Sequence, residues 1–384
     1  MHYLSLEYLL WMIGTFSLFW LAPARWRARV LIVLTLAFLL RTSPLSAGIL
    51  TFFTLVTTYV AGRRDPNGPT IAATGLLFIS VLVYFKLNAA GQSIESIISD
   101  AIIPLGLSYY TFRCLHLLFE RYRGRFQETT PMEIVGYLFF LPTILVGPIH
   151  RFDAYQRDLY RTRMERDMLP EGIERILYGY VKIGFLGNYL INGLLGDYVD
   201  QLPPEQTALA AYLWIVLGGL NLYFQFSGFA DIAIGFSRLL GFRVMENFNW
   251  PFFRRNLSEY WQCWHISLTG WCRDYIYTSV VSVTRSPALG AIATLLVLGL
   301  WHELSLRYIC WGLYHGIGLV IWQRFQSLKP SLPAIHSPWL RAALTGLSIL
   351  FTVHYVWFGF AIVRKANLSE VFDIWKTATI GFLM

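Results

Sequence analysis

The chain has 384 residues, 55% of them hydrophobic and only 14% charged, with a formal net charge of +8. A soluble domain carries about 25% charged residues, so this composition excludes an ordinary soluble protein and indicates a chain that crosses a membrane many times. The positive excess fits Lys and Arg held on the cytoplasmic side, and no basic stripe interleaved with exposed aromatics suggests a nucleic-acid surface. Cys114, Cys263, Cys272 and Cys310 fall in or beside apolar runs without CxxC spacing. They read as packing residues rather than as a disulfide framework or a zinc knuckle. Aromatics reach 17%, with 14 Trp, which suits helix ends anchored at an interface as well as buried helix packing.

Apolar runs at roughly 4–22, 30–40, 46–62, 70–87, 101–119, 132–149, 173–197, 206–226, 287–302, 308–323 and 340–363 predict an all-α polytopic membrane protein with about 10–11 spans or half-spans. Several fall short of the ~20 residues a full crossing needs, so re-entrant and interfacial helices are expected among them. With no internal repeat or linker, residues 1–384 read as a single integral-membrane domain. The first run, Leu4 to Leu21, has no Lys or Arg before it and Arg25, Arg27 and Arg29 after it, which predicts an outside N-terminus and no cleavable signal peptide. Arg63/Arg64 and Arg121/Arg123/Arg125 follow alternate runs, as alternating topology requires.

The polar segment Arg151 to Glu171, with five arginines, should also be cytoplasmic, which makes the run before it start and end on one side. Pro142, Gly147 and Pro148 break that run, and a re-entrant dip over Leu141–Pro148 resolves the conflict if protein covers the freed backbone. Just upstream, Arg113, His116 and Glu120 are spaced to share one face of a helix over Pro104 to Glu120. An internal ion pair orienting neighbouring helices is the first reading, and a substrate role the second. Asp231 lies in the glycine-rich stretch Gly228-Phe229-Ala230-Asp231-Ile232-Ala233-Ile234-Gly235, where small residues permit close helix packing. It reads as a structural hydrogen-bond acceptor before it reads as a catalytic acid.

Residues 246–277 are too polar to cross and too aromatic to sit in water. Ser258 is placed to cap a short interfacial helix whose Trp261, Trp264, His265 and Leu268 share a face, continued by Trp271-Cys272-Arg273-Asp274-Tyr275. After that, Pro287 to His302 contains no charge, and His302 stands roughly 22 Å along a helix from Pro287. The imidazole, with Trp301 before it, Glu303 after it and Arg307 a turn later, is thus expected inside the membrane, where ionisable groups usually line a path or a site. His302-Glu303 begins like a zinc-protease helix, but Leu306 stands where the second histidine belongs, and no metal site is predicted. On a continuous helix His315 would lie about 220° around from His302, which favours a structural role for it.

Taken in order, Pro104-Leu105-Gly106-Leu107-Ser108-Tyr109-Tyr110-Thr111-Phe112, Gly147-Pro148-Ile149, the Asp231 stretch, Glu246-Asn247-Phe248, Trp264-His265-Ile266-Ser267-Leu268, Arg273-Asp274-Tyr275 and Leu300-Trp301-His302 resemble the membrane-bound O-acyltransferase family. They cover about residues 104–316, the motif-bearing core. The likeness is to the bacterial branch that holds the teichoic acid D-alanyl transferase and the alginate O-acetyltransferase. Thr111-Phe112-Arg113, Leu141-Pro142-Thr143 and Trp311-Gly312-Leu313-Tyr314-His315-Gly316 lean slightly towards the former. The resemblance implies transfer of a small acyl group, acetyl or D-alanyl, from a thioester donor to a hydroxyl of a cell-envelope polysaccharide or teichoic-acid-like polymer. It maps the essential histidine to His302 and a second important one to His265. The family usually has glycine where Glu303 stands.

Acyl transfer to an alcohol needs a base, and imidazole, with an unperturbed pKa near ~6.5, suits the task. His302 is therefore the expected general base and His265 a group that orients the acceptor or stabilises the carbonyl oxygen. Trp301, Glu303, Arg113 and Asp231 are expected to support the site or touch substrate, and Arg273 and Asp274 read as scaffold. A thioester is already reactive, so no cofactor is expected beyond the donor itself, carried by an acyl-carrier protein or coenzyme A on the cytoplasmic side. Arg254/Arg255 or the loop 151–171 would dock an acidic carrier, the polymer would be reached from the outer side of the cytoplasmic membrane, and stretches 141–148 and 250–268 would thin the protein around His302. The rival readings are a transporter or flippase of a lipid-linked envelope precursor and a non-catalytic envelope scaffold.

Overall fold

The computed structural model describes residues 5–63, 67–89, 103–126, 129–331 and 336–382; Leu4 and Arg64 of the expectations above lie outside these. Among the described residues the chain is helical, joined by turns and a single isolated β-bridge between Phe248 and Trp264. Four stretches among the described residues are long and apolar enough to cross a membrane: Pro44–Ala61, Gly68–Ala89, Pro204–Leu239 and Pro338–Arg364. Leu6–Leu21 and Pro287–His302 are shorter apolar helices. Run 308–323 lies within the continuous helix Leu306–Leu328 and run 30–40 within Arg27–Thr42, whereas 173–197 passes from the α-helix Met168–Tyr180 into a π-helical stretch, Val181–Leu195. The chain is thus a polytopic helical membrane protein. It packs as two compact units, Met1–Tyr180 with Phe229–Met245, and Val181–Gly228 with Glu246–Met384.

In the first unit the break expected around Leu141–Pro148 is present. Thr130 and Glu133 close a capping box on helix Pro131–Leu138, which gives way to a 3-10 turn at Leu141–Thr143 and then to non-helical backbone. Most of this segment is buried, so its freed carbonyls must be bonded by protein. Arg113, 1% exposed on helix Leu107–Tyr122, does this. Its guanidinium donates to the Thr143 carbonyl at 2.7 Å, to the Leu138 carbonyl at 3.4 Å, to the Tyr137 carbonyl at 3.5 Å and to the Thr143 hydroxyl. Gly106, in the left-handed region at φ +76°, starts that helix so close to the Ile144 carbonyl that a Cβ would collide with it.

The face shared by Arg113, His116 and Glu120 serves three separate tasks rather than one internal ion pair. Arg113 holds the helix break. His116 Nε2 accepts from the Phe152 amide at 3.1 Å and so caps the start of helix Phe152–Arg161. Glu120 takes Arg123 at 3.0 Å and Arg125 at 2.7 Å beyond its own helix. Asp231, buried, is ion-paired with Arg175 at 2.7 Å, where Gly172 and Gly235 let two helices approach within backbone contact. That contact is the close packing read from the small residues around Asp231. Arg238 reaches Glu171 and, at 3.2 Å, Glu165, and its hydrogen bond holds the Glu165 carboxyl below the usual carboxylate range.

Replacing Arg113 by Met keeps the volume and leaves three buried carbonyls without their donor. A buried unsatisfied group costs about 1–3 kcal/mol, so Arg113→Met should lower the thermal midpoint of the detergent-solubilised protein clearly. An unchanged midpoint would show that the helix break does not depend on this arginine.

Candidate functional site

The site lies within the second unit and begins with a helical hairpin. Ser286 caps helix Pro287–His302 through the Leu289 amide at 3.3 Å, and Pro287 sits in the first turn, where its missing N–H costs nothing. The helix stops at His302, and a new one runs from Leu306 to Leu328. The two antiparallel helices approach through glycine. A Cβ on Gly299 would strike the Tyr308 carbonyl, and one on Gly312 the Leu295 carbonyl. His315 thus belongs to a second helix and not to the continuation assumed in placing it about 220° from His302. It is fully buried, with its ring 5.0 Å from that of Trp311 and 5.3 Å from that of Trp261, a packing position.

His302 is the last residue of the first hairpin helix and is exposed. Three rings fix its surroundings: Trp301 at 4.6 Å, Tyr308 at 5.7 Å and nearly parallel, and Trp311 at 6.0 Å. The short turn lets the second helix bring Tyr308 and Trp311 back onto the imidazole. Glu303, in the place the family usually gives to glycine, turns its carboxylate to Arg307, with both oxygens bonded at 2.9 and 3.2 Å.

The second histidine is positioned differently from the sequence expectation. One interfacial helix carrying Trp261, Trp264, His265 and Leu268 on a face was predicted, capped by Ser258. The cap is Asn256, whose side chain accepts from the Glu259 amide at 2.9 Å, and helix Leu257–Cys263 ends before Trp264. His265 itself is in the left-handed region at φ +46°, and a separate helix, Ile266–Cys272, follows. A non-glycine residue held there costs free energy, which must be offset locally. Segment 247–249 supplies the offset. The Asn249 amide bonds the Cys263 carbonyl at 3.0 Å, the Ile266 amide bonds the Asn247 carbonyl at 2.9 Å, and the Asn247 side-chain oxygen accepts from the Ser267 amide and hydroxyl at 3.2 and 2.6 Å. Asn247 and Ser267 are both wholly buried. His265, 2% exposed, is thereby turned against Phe226, with ring centroids 4.6 Å apart, and faces Trp301 at 6.4 Å.

His302 and His265 line one cavity of about 330 Å³, the size of a small-molecule site. Trp261, Trp264 and Trp311 make much of its apolar wall, with Asn221, Gln225, Tyr308 and Arg364 as polar members. Trp301 adjoins both imidazoles. Arg273 and Asp274 pair with each other at 3.3 Å in a π-helical turn, Arg273–Tyr277, and do not line this cavity. Arg113 and Asp231 belong to the first unit and hold helices there. Asn247, Tyr308 and Arg364 were not singled out as site residues from the sequence. Asn247 was visible only as part of Glu246-Asn247-Phe248, and Arg364 only as the polar end of an apolar run.

A family model for MBOAT, the membrane-bound O-acyltransferase family, matches residues 32–360. The chain belongs to that family. Over 78% of its length it is 32% identical to "Probable alginate O-acetylase AlgI" of Pseudomonas aeruginosa, covering 58% of that relative. The corresponding protein of Azotobacter vinelandii is 31% identical over 79% of the chain and 65% of its own length. "Teichoic acid D-alanyltransferase" of Bacillus subtilis is 30% identical over 80% of the chain and 81% of that relative. The chain thus spans about 58–65% of these alginate relatives and most of the teichoic acid one.

Asn247→Ala deletes the acceptor for two buried Ser267 donors, a loss of about 1–3 kcal/mol. The expected result is a lower thermal midpoint, with His265 released from its left-handed turn and open to modification by diethyl pyrocarbonate. Equal His265 labelling in wild type and variant would show that Asn247 does not hold it.

Proposed function

We propose that the protein transfers a small acyl group, acetyl or D-alanyl, from a thioester to a hydroxyl of a cell-envelope polymer, with His302 as general base. The observation that carries the reading is an exposed imidazole sharing a small-molecule cavity with a second, buried imidazole, in a chain of this family. Relatives named as an alginate O-acetylase and a teichoic acid D-alanyltransferase support the acyl groups considered and a polymeric acceptor.

In the step proposed, the acceptor oxygen attacks the thioester carbonyl while a ring nitrogen of His302 takes the hydroxyl proton. The tetrahedral adduct carries its negative charge on the former carbonyl oxygen. As it collapses, the carbon–sulfur bond breaks, the thiolate leaves and receives the proton from the imidazolium, and an ester and a free thiol result. A thioester is activated enough that neither a serine nor a cysteine nucleophile is required, and the atoms balance without a metal. His265, set at the cavity wall by Asn247, orients the acceptor or stabilises the oxyanion, and the Trp walls limit the water that would otherwise hydrolyse the thioester. Glu303, engaged by Arg307, acts on the site by fixing the turn after His302.

The donor, an acyl-carrier protein or acyl-coenzyme A, is taken to arrive from the cytoplasm and the polymer from the other face of the cytoplasmic membrane. Of the two basic surfaces considered for docking an acidic carrier, Arg254/Arg255 is the more occupied. Arg255 pairs with Glu259 at 2.8 Å, and Arg254 donates to the Asn249 carbonyl at 2.6 Å. Arg161, at the end of helix Phe152–Arg161, and Arg166, in the loop after it, are exposed and have no ion pair among the described residues, which favours segment 151–171.

A positioned general base contributes about 10²–10⁴-fold, so His302→Ala at matched membrane abundance should abolish detectable acylation. Mass analysis of hydroxylamine-labile esters on envelope polymers would read both the loss and the identity of the group. Persistence of every ester would refute the assignment of His302. Reversing Arg161 and Arg166 to Glu should raise the apparent KM for a carrier-borne donor in proportion to the salt dependence of the wild type, and unchanged donor kinetics would place docking elsewhere.

A further inference from the structure

The cavity that holds the two histidines has one permanent charge. Asp and Glu are absent from its lining, whose only member charged at every accessible pH is Arg364, the last residue of helix Pro338–Arg364. Arg364 is exposed at that helix end, so water can solvate its guanidinium without a carboxylate beside it. Arg364 has no carboxylate partner among the described residues. Its guanidinium carbon instead lies 3.8 Å from the centre of the Trp214 ring, and one Nη donates to the Trp214 carbonyl at 2.9 Å. Lys365 rests on the same indole, 4.5 Å from its centre. Stacking and one carbonyl satisfy the plane and one edge of the guanidinium. They leave the remaining N–H donors, and the whole charge, unopposed.

The surroundings keep the arginine in this pose. Gly218 lies directly beneath the guanidinium, and any Cβ there would occupy its space. Gly219, the next residue, makes the same accommodation for Trp357. From the other side, Arg307 donates to the carbonyl of Lys365, while Glu303 holds Arg307 from beside His302. The turn that follows the imidazole and the helix end that carries the guanidinium are therefore tied through two side chains, Glu303 and Arg307, and the Lys365 carbonyl. Glycine at 303 would remove the first of these ties.

We propose that Arg364 is an oxyanion-binding residue of the His302 cavity: it grips a phosphate or carboxylate carried by one of the two reactants and so positions that reactant against the imidazole. A planar fork with free donors, pre-ordered on an indole, matches either oxyanion bidentately and loses little freedom on binding. The charge would come from the backbone of an anionic acceptor polymer or from the phosphates of the donor. Glu303 and Arg307 are positioning residues for this subsite. The proposal rests on the acyl-transfer reading for the identity of the reactants, although the oxyanion site itself does not need that reading to be correct.

The test is binding to the full chain purified in detergent, by calorimetry, with glycerol 1-phosphate, glucuronate and coenzyme A as charged probes and glycerol and pantetheine as their neutral counterparts. Wild type should bind at least one anion tenfold or more tightly than its neutral counterpart, with affinity falling as salt is raised. Arg364→Gln should erase that preference, and Arg364→Lys, which keeps the charge and loses the fork, should retain part of it. Arg364→Lys also guards against a folding defect, since it preserves the cation on Trp214. Preference for coenzyme A over pantetheine assigns the oxyanion to the donor; preference for glycerol 1-phosphate or glucuronate over glycerol assigns it to the acceptor. Equal affinities for charged and neutral probes, or an anion preference that survives in Arg364→Gln, would overturn the proposal. In a parallel transfer assay, activity that persists in His302→Ala would refute the catalytic reading while leaving an Arg364-dependent anion preference standing, so the two failures are separable.

Discussion

Backbone that leaves a helix inside an apolar surround must find its hydrogen bonds within the protein, and the structure depends on how this chain meets that demand. Three breaks matter, and each is held by side chains from elsewhere in the chain. Arg113 bonds the carbonyls around Leu141–Thr143. Asn247 and its neighbours bond the backbone on both sides of His265. Arg307 bonds the carbonyl that follows Arg364. An unbroken helix offers its side chains on a smooth cylinder, whereas a break can turn a ring out of the helix path. His265 at φ +46° and His302 at a helix end both owe their direction to such breaks.

Glycine provides the complementary device. Where two helices must nearly touch, as in the hairpin around Gly299 and Gly312, the absence of a Cβ lets backbone meet backbone. That closeness brings Tyr308 and Trp311 onto His302 across only a three-residue turn. The same device at Gly218 makes room for the Arg364 guanidinium. The cavity is thus built from close-packed helices whose ends carry its histidines and Arg364, while Asn221 and Gln225 line it from within helix Thr207–Leu239. This arrangement confines ionisable side chains to places where the backbone is already polar. Trp261, Trp264 and Trp311 contribute large rigid rings to the apolar wall, filling space between helices with little loss of side-chain freedom.

Much of the frame was legible in the sequence. Sparse charge and long apolar runs required a polytopic helical protein, because in lipid the backbone must satisfy its own hydrogen bonds. The prolines and glycine at Pro142, Gly147 and Pro148 marked a helix break, and the ordered motifs pointed to His302 and His265. The local signals misled where two explanations fitted one spacing. Trp261, Trp264, His265 and Leu268 have helical spacing, yet the helix ends at Cys263, because tertiary bonds from Asn247 and Asn249 compensate a left-handed residue that local propensity disfavours. Arg113, His116 and Glu120 likewise share a face without sharing a purpose, since each is claimed by a different neighbour.

Composition, periodicity and breakers depend on residues near one another in the chain, so the sequence alone determined the membrane class, the approximate helices and the breaks, while the resemblance of its ordered motifs to a family singled out the two histidines. Only the tertiary structure decided that those histidines share a cavity, that Glu303 answers to Arg307, and that Arg364 completes the lining. Glu303 and Arg307 are only four residues apart, but the shared cavity and the place of Arg364 depend on packing between helices tens to more than a hundred residues apart. Such packing is set by which side chains fill and satisfy a common interior, and no window of sequence contains that information.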